Sequence, residues 1–334
     1  MSVRAIPRPR LGSLPWPTRQ TERAGRRSPL LLPHIVIGGG SIGLELGQAF
    51  RRFGVRVIVL EALSRIVPTE DPDVSAALAE ALEAEGVELH AGARVTQVER
   101  TERGYRVAVE QGSGGSVHGR FEAEQLLVAT GRRPNVERLG LDAAGVSTDR
   151  RGFIAVDLFL RTSNPDVFAA GDVTGGPGYV YVAALQGGIA AQAALAELSG
   201  TEALPIDLTT VPRVTFTDPQ VAAVGMTEAE ARNAGLTAQV TSLPVRLLPR
   251  AAVSHRRRGI INLVSEAGTD RLLGAHVVAP NAGDVIGEAT LAVRFGLTTR
   301  DLVSTLHPYL TWGEGPKLAA QTFTKDMAKL SCCA

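Results

Sequence analysis

The sequence predicts an α/β fold with an inserted β-meander, followed by a separate α+β domain. Three observations carry that reading. Residues 35–61 run from a β-branched apolar stretch through a glycine-rich turn and a helical pattern into a second apolar stretch. Residues 94–122 hold three short strand-like segments in succession. Beyond residue 208, strand-like and helix-like segments mix, with no further glycine-rich loop.

The first unit organises the chain. Ile35-Val36-Ile37 has the composition of a buried strand. Gly38, Gly40 and Gly43 then form G-x-G-x-x-G directly before a helical pattern that puts Ile42, Leu46, Ala49, Phe50 and Phe53 on one face. Gly54 ends that helix, Val55 to Leu60 is a second strand, and Glu61 sits at its tip. Gly38 serves the tight turn, Gly40 lets a pyrophosphate approach the backbone, and Gly43 lets helix and strand pack closely. Unpaired N–H groups at the helix start face the phosphates. The order strand, turn, helix, strand, acid marks a Rossmann-type dinucleotide site. Gly38, Gly40, Gly43, Glu45, Glu61 and Gly131 make up its cofactor-binding set.

Composition sets the limits. The chain has 334 residues, 44% of them hydrophobic, enough for two or three domains with proper cores. A net charge of +1 makes no global case for nucleic acid or an anionic membrane. No apolar run reaches membrane-spanning length. Only two cysteines occur, adjacent at 332 and 333, which excludes a disulfide framework and points to a reducing, cytoplasmic setting. Residues 1–28 differ from the rest: seven arginines face the single acid Glu22 among four prolines. No helix or strand period survives there, so 1–32 is expected to be a disordered leader.

In order after Glu61, Asp71-Pro72-Asp73 starts a helix carrying Val74, Leu78 and Leu82 and ending at Gly86. A short strand at 87–89 precedes the meander strands 94–100, 105–110 and 117–122, the last two joined by Gly112-Ser113-Gly114-Gly115. Leu126 to Thr130 reads as a buried strand ending at Gly131, which closes a nucleotide-binding domain over 33–131. Val167 to Ala170 reads as an apolar strand running into Gly171-Asp172, with a helix through Val182, Leu185 and Ile189 behind it. Asp172 there either accepts bonds from a sugar or ribitol hydroxyl or simply caps a helix. Residues 203–207 are a linker. Strands at 213–217, 238–243, 260–264 and 272–278 and helices at 227–234 and 282–295 then make a packing or dimerising domain over 208–330.

These residues resemble the pyridine-nucleotide disulfide oxidoreductases, and within them the mercuric reductases. The glycine loop, Ala129-Thr130-Gly131 and Ala170-Gly171-Asp172 occur in the family's order. Tyr179 to Ala184, Phe216 to Val221, Pro308-Tyr309-Leu310-Thr311 and Leu318 to Phe323 match locally, and the terminal Leu-Ser-Cys-Cys-Ala is the most specific element. The resemblance covers residues 33–334 and makes 132–202 the C-terminal part of an FAD-binding domain. It implies FAD and NADPH or NADH as cofactors, Hg(II) as substrate and a homodimer. It places Gly171, Asp172 and the backbone near Val180 against FAD, and Tyr181 close to the metal near the flavin. Tyr309 falls where related disulfide reductases carry a catalytic histidine, and Glu314, five residues on, falls at that histidine's carboxylate partner. His307 becomes a neighbour rather than the base.

The family also has an FAD-binding strand–turn–helix and a Cys-x-x-x-x-Cys redox pair ahead of its nucleotide domain, and this sequence shows neither. It is therefore expected to correspond to the C-terminal part of such an enzyme. Three readings follow: a mercuric-reductase-like oxidoreductase whose FAD part lies in other sequence, an inactive nucleotide-binding and dimerising module, or a metal-handling chain whose tail captures thiophilic metal. Another member of the family is a further alternative. Cys332 and Cys333, in a flexible tail over 331–334, are expected to present soft thiolates to a thiophilic metal.

Overall fold

The computed structural model describes residues 33–111, 118–327 and 330. The expected leader at 1–32, the connection Gly112 to Gly115 and the pair Cys332 and Cys333 lie outside the described residues.

The first domain runs β1 (His34–Ile37), α1 (Ser41–Arg52), β2 (Val57–Glu61), α2 (Pro72–Ala84) and β3 (Glu88–Ala91). The meander β4 (Ala93–Thr101), β5 (Gly104–Gln111) and β6 (His118–Ala123) follows, and β7 (Gln125–Val128) returns to the first sheet. That sheet is parallel, in the order β3-β2-β1-β7. Its central strands are buried on both faces, as covered parallel strands must be, which is why Ile35, Val36 and all of β2 read as continuous apolar runs. The meander closes one face: Val107, Val109 and Ala123 pack on Ile35, Ile58 and Leu60. On the other face α2 buries Val74, Leu78 and Leu82.

Two expectations are corrected here. β7 is an edge strand rather than a buried one, with Val128 62% exposed. Most of the apolar face assigned to α1 also points away from the sheet, for Ile42, Leu46, Ala49 and Phe53 are exposed and only Phe50 packs on the core. The helix instead packs through Gly43, Leu44, Gly47 and Gln48. Its glycines bring the helix so close that a Cβ on Gly47 would already touch Val57 and Val36.

Residues 132–202 carry only isolated bridges, Thr148 to Ile154 and Arg161 to Phe168, then a 3₁₀ turn at Asp172–Thr174 and α3 (Val180–Ser199). The strand expected at Val167 to Ala170 therefore does not form a ladder. A parallel strand needs flanking strands, and among the described residues Phe168 meets only Arg161. Val180, Leu185 and Leu195 of α3 stand exposed.

The last domain holds β8 (Arg213–Thr215), β9 (Gln220–Gly225), α4 (Glu228–Asn233), β10 (Ala238–Pro244), α5 (Pro249–Val253), β11 (Ile260–Glu266) and β12 (Leu272–Ala279). α6 (Ala282–Arg294), α7 (Thr299–Ser304) and α8 (Glu314–Gln321) complete it. Its antiparallel sheet has the order β10-β11-β12-β9-β8, and α6 and α8 cover one face. Val221 and Val278 reach into the core of the first domain, so the two domains share apolar packing.

A buried ionic cluster pins the same junction. Arg213 donates to both oxygens of Glu70 at 2.6 and 3.0 Å. The fully buried His276 lies 3.6 Å from Glu70 and 3.7 Å from Asp71, and its Nε2 donates to the Met226 carbonyl at 3.0 Å. Burial opposes the charge on Glu70, but His276 and the Arg213 fork outweigh it and hold the carboxyl below its usual range. That contribution is present above the unfolded carboxyl's pKa and lost as the pH falls through the lower, folded one. Glu70→Gln leaves the half-buried Arg213 without its counter-charge and is expected to cost about 1–3 kcal/mol, read from the urea midpoint.

Candidate functional site

The loop from Gly38 to Gly43 is built by contacts that only glycine permits. Gly38 has φ +112°, and a Cβ there would lie 2.4 Å from the Ala129 carbonyl oxygen of the neighbouring strand end. At Gly43 a Cβ would lie 2.1 Å from the Gly38 carbonyl oxygen. Gly40 is different. Its backbone is ordinary and extended, and a Cβ would meet nothing within 4 Å. Space is kept open at the first turn of α1, where no side chain caps the free amides. The pyrophosphate of a dinucleotide fits this cradle.

Glu61 is buried and holds the loop as well as bordering it. One oxygen accepts from Gly39 N–H at 2.6 Å and the other from Leu63 N–H at 2.8 Å. A carboxylate oxygen accepts more than one bond, so a ribose hydroxyl remains within its capacity. Glu61, Leu63, Ala93, Val95 and Gly131 line a cavity of about 390 Å³ beside the loop. Arg65, the cation nearest in sequence, donates to the Pro68 and Glu70 carbonyls at 2.9 and 3.2 Å instead. An acid at the ribose position with its neighbouring guanidinium engaged elsewhere favours a free 2′-hydroxyl over a 2′-phosphate. NADH is therefore expected to bind at least as tightly as NADPH in fluorescence titrations, and NADPH tighter by about tenfold, or 1.4 kcal/mol, would refute this.

Glu45 faces the last domain, its Oε1 accepting from Phe216 N–H at 2.7 Å. It secures α1 to that domain and does not border the cavities at the loop.

Gly131, at φ +128°, borders a second and larger cavity of about 900 Å³. Gly40 and Ser41 form one side of it, Asp172 and Tyr179 another. Asp172 makes no capping bond to the 3₁₀ turn or to α3, which removes the plain-cap alternative. Its Oδ2 accepts from Arg132 at 3.1 Å, with both side chains more than half exposed. Gly171 N–H is fixed by Gln186 Oε1 at 2.6 Å. Val180 opens α3 and is 87% exposed.

Tyr181 donates its hydroxyl to the Pro212 carbonyl, and its ring stacks on Tyr179 at 5.2 Å. Burial, with a smaller push from Tyr179, raises its pKa to about 12, so it remains a neutral donor near neutral pH. Tyr309 is 59% exposed. Glu314 starts α8, is buried, and has an Oε2 without a hydrogen-bond partner. No hydrogen bond joins it to Tyr309 among the described residues. The structure instead couples His307 to Glu288 of α6, Nε2 to Oε1 at 2.8 Å, with Nδ1 donating to the Thr305 carbonyl at 3.0 Å. His307 was visible beside Tyr309 in the sequence, but nothing in the spacing pointed to Glu288. Among the described residues no group of three His, Cys, Asp or Glu side chains could hold a metal, and no helix is long and apolar enough to cross a membrane.

Residues 17–187 match the family model for pyridine nucleotide-disulphide oxidoreductases, and residues 211–320 match that family's dimerisation domain. The chain belongs to the pyridine nucleotide-disulphide oxidoreductase family. Its relatives include the mercuric reductase of Staphylococcus aureus, 47% identical over 299 residues, which are 90% of this chain and 53% of that protein. The mercuric reductase of Streptomyces lividans is 46% identical over 300 residues, 90% of this chain and 62% of its own. A dihydrolipoyl dehydrogenase of Thermus scotoductus is 41% identical over 311 residues, covering 93% and 66%. The chain thus spans between half and two thirds of these relatives. Among solved structures, LpdA of Mycobacterium tuberculosis superposes with a TM-score of 0.77 at 32% identity, covering 88% of this chain and 62% of that one. The flavoprotein disulfide reductase RclA of Escherichia coli gives 0.77 at 31%, covering 88% and 66%.

Proposed function

We propose that this chain is the nucleotide-binding and dimerising part of a mercuric-reductase-like oxidoreductase, in which electrons pass from NAD(P)H through FAD to Hg(II). One observation supports this most. The glycine loop and Asp172 open onto the same cavity, so a nucleotide in the loop and a group bonded to Asp172 share one space. The residues fit NAD(P)H, which supplies a hydride when bound. For FAD they offer one end only: Asp172, the fixed Gly171 and the exposed start of α3. The chain has one G-x-G-x-x-G, and the nucleotide takes it.

In this reading the loop orients the nucleotide, Glu61 holds its ribose, and Tyr181, its proton held by the Pro212 carbonyl, presents its hydroxyl oxygen to the metal near the flavin. The domain at 208–330 brings two copies together as a cytoplasmic homodimer. The overall reaction balances as NAD(P)H plus Hg(II) giving NAD(P)⁺, Hg(0) and a proton.

The relative activities on metal and disulfide test the reading. With an FAD-binding half supplied as one polypeptide, NAD(P)H oxidation should depend on Hg(II) and release Hg(0) stoichiometrically. The His307–Glu288 pair favours a second reading, a disulfide reductase, because it presents a held imidazole beside Tyr309. Oxidation driven by lipoamide but not by Hg(II) would establish that second reading and overturn the first.

A further inference from the structure

At the far end of α1 from the glycine loop, the two domains border a further polar cavity of about 280 Å³. Its walls come from separate segments: the ends of α1 and α2, the turn at Asp218-Pro219, the loop after α5, and Pro280. Four guanidiniums, from Arg52, Arg256, Arg257 and Arg258, meet only two carboxylates there. The carboxylates are already spoken for. Glu85 accepts from Arg52 at 2.7 and 3.0 Å, and Asp218 accepts from Arg52 at 2.8 Å and from Arg256.

Arg257 and Arg258 make no hydrogen bond or ion pair among the described residues, and both are exposed. The run His255-Arg-Arg-Arg is presented on a tight turn after α5, with His255 at φ +56°. Gly259 closes the run at φ +124°, where a Cβ would collide with the Val278 carbonyl. The turn is thereby tied to β12 while Arg256, Arg257 and Arg258 line the cavity. Gln48, buried in α1, fixes the opposite wall by donating to the Asp218 carbonyl at 2.7 Å and accepting from Asp218 N–H at 2.8 Å.

Like charges are not gathered at a concave junction without cost, and a bound anion offsets it. Guanidinium forks match phosphate oxygens bidentately, and the excess over the carboxylates calls for a dianion or more. Walls on several sides and a metabolite-sized volume suit a small molecule better than an extended polymer.

We propose that this cavity is a second anion site, distinct from the glycine loop, that binds a small phosphate-bearing molecule through Arg257 and Arg258 with help from Arg52 and Arg256. Its ligand bridges the first and last domains. The site does not rest on the mercuric-reductase reading and stands or falls separately from it.

Sodium diphosphate is the probe, titrated calorimetrically into the purified chain at ionic strength matched with chloride. The glycine loop also attracts diphosphate, so the titration is run on the wild type, on Gly40→Val and on Arg257→Ala/Arg258→Ala. Saturable binding should persist in Gly40→Val and weaken by about 30-fold, roughly 2 kcal/mol, in the double arginine variant. Arg257→Lys/Arg258→Lys, which keeps charge but loses the fork, should fall between them. NADH affinity should be unchanged in both arginine variants, which shows that they are folded. Binding lost in Gly40→Val but kept in Arg257→Ala/Arg258→Ala would overturn the proposal, as would no saturable binding at matched ionic strength.

Discussion

Replacing Gly40 by valine is expected to leave the chain folded and to weaken NADH binding by roughly 100-fold, about 2.7 kcal/mol. The two halves of that expectation come from one position. A Cβ at Gly40 meets nothing within 4 Å, and its φ of −82° suits any residue, so the thermal midpoint should not move. The space it would enter is the space a pyrophosphate needs, and two or more charge-assisted bonds from the start of α1 are lost with it, each about 1.5–3 kcal/mol. Gly43→Val makes the contrast: its Cβ would sit 2.1 Å from the Gly38 carbonyl oxygen, so that variant should lose folding as well as binding. Equal NADH affinity in wild type and Gly40→Val would remove the loop from the nucleotide site.

The second large effect is expected at the chain end. Cys332→Ser/Cys333→Ser should abolish retention of about one Hg(II) per reduced chain against a competing monothiol, read by native mass spectrometry. Adjacent Cα atoms lie about 3.8 Å apart, short of the roughly 4.4–6.8 Å of ordinary disulfides. A bridge between the two is therefore strained, and both thiols stay available. Two soft thiolates side by side select a soft metal, and no other cysteine in the sequence competes with them. Mercury retained undiminished by the double variant would exclude the tail from metal capture.

How far the sequence could be read followed physical rules. Strands buried on both faces announced themselves: β1, β2 and the helix face of Val74, Leu78 and Leu82 lie where their composition put them. β9 was missed although Val221 to Val224 is wholly buried, because two alanines at its centre carry no strand preference. α8 was hidden by Gly313, Gly315 and Pro316, whose helix is imposed by packing rather than propensity; Gly315 fits there because a Cβ would strike Ile261. The exposed stripe of α1 misled for a related reason. Glycines on the sheet side carry no hydrophobic signal, yet they are what lets the backbone approach.

At the site, the glycines and Glu61 were readable because each answers a local demand of the backbone. The engagement of Glu45 with Phe216, the pairing of His307 with Glu288 and the basic cavity at Arg256 to Arg258 were not readable. Each joins residues from distant parts of the chain through tertiary contacts that no local spacing encodes.

The central claim is that these residues complete a pyridine-nucleotide site but hold only one end of a flavin. One sample of the purified chain tests both parts, by NADH fluorescence titration and visible absorbance. The account predicts saturable binding of one NADH per chain in a colourless protein. Stoichiometric FAD in the purified chain, or no saturable NADH binding, would contradict it.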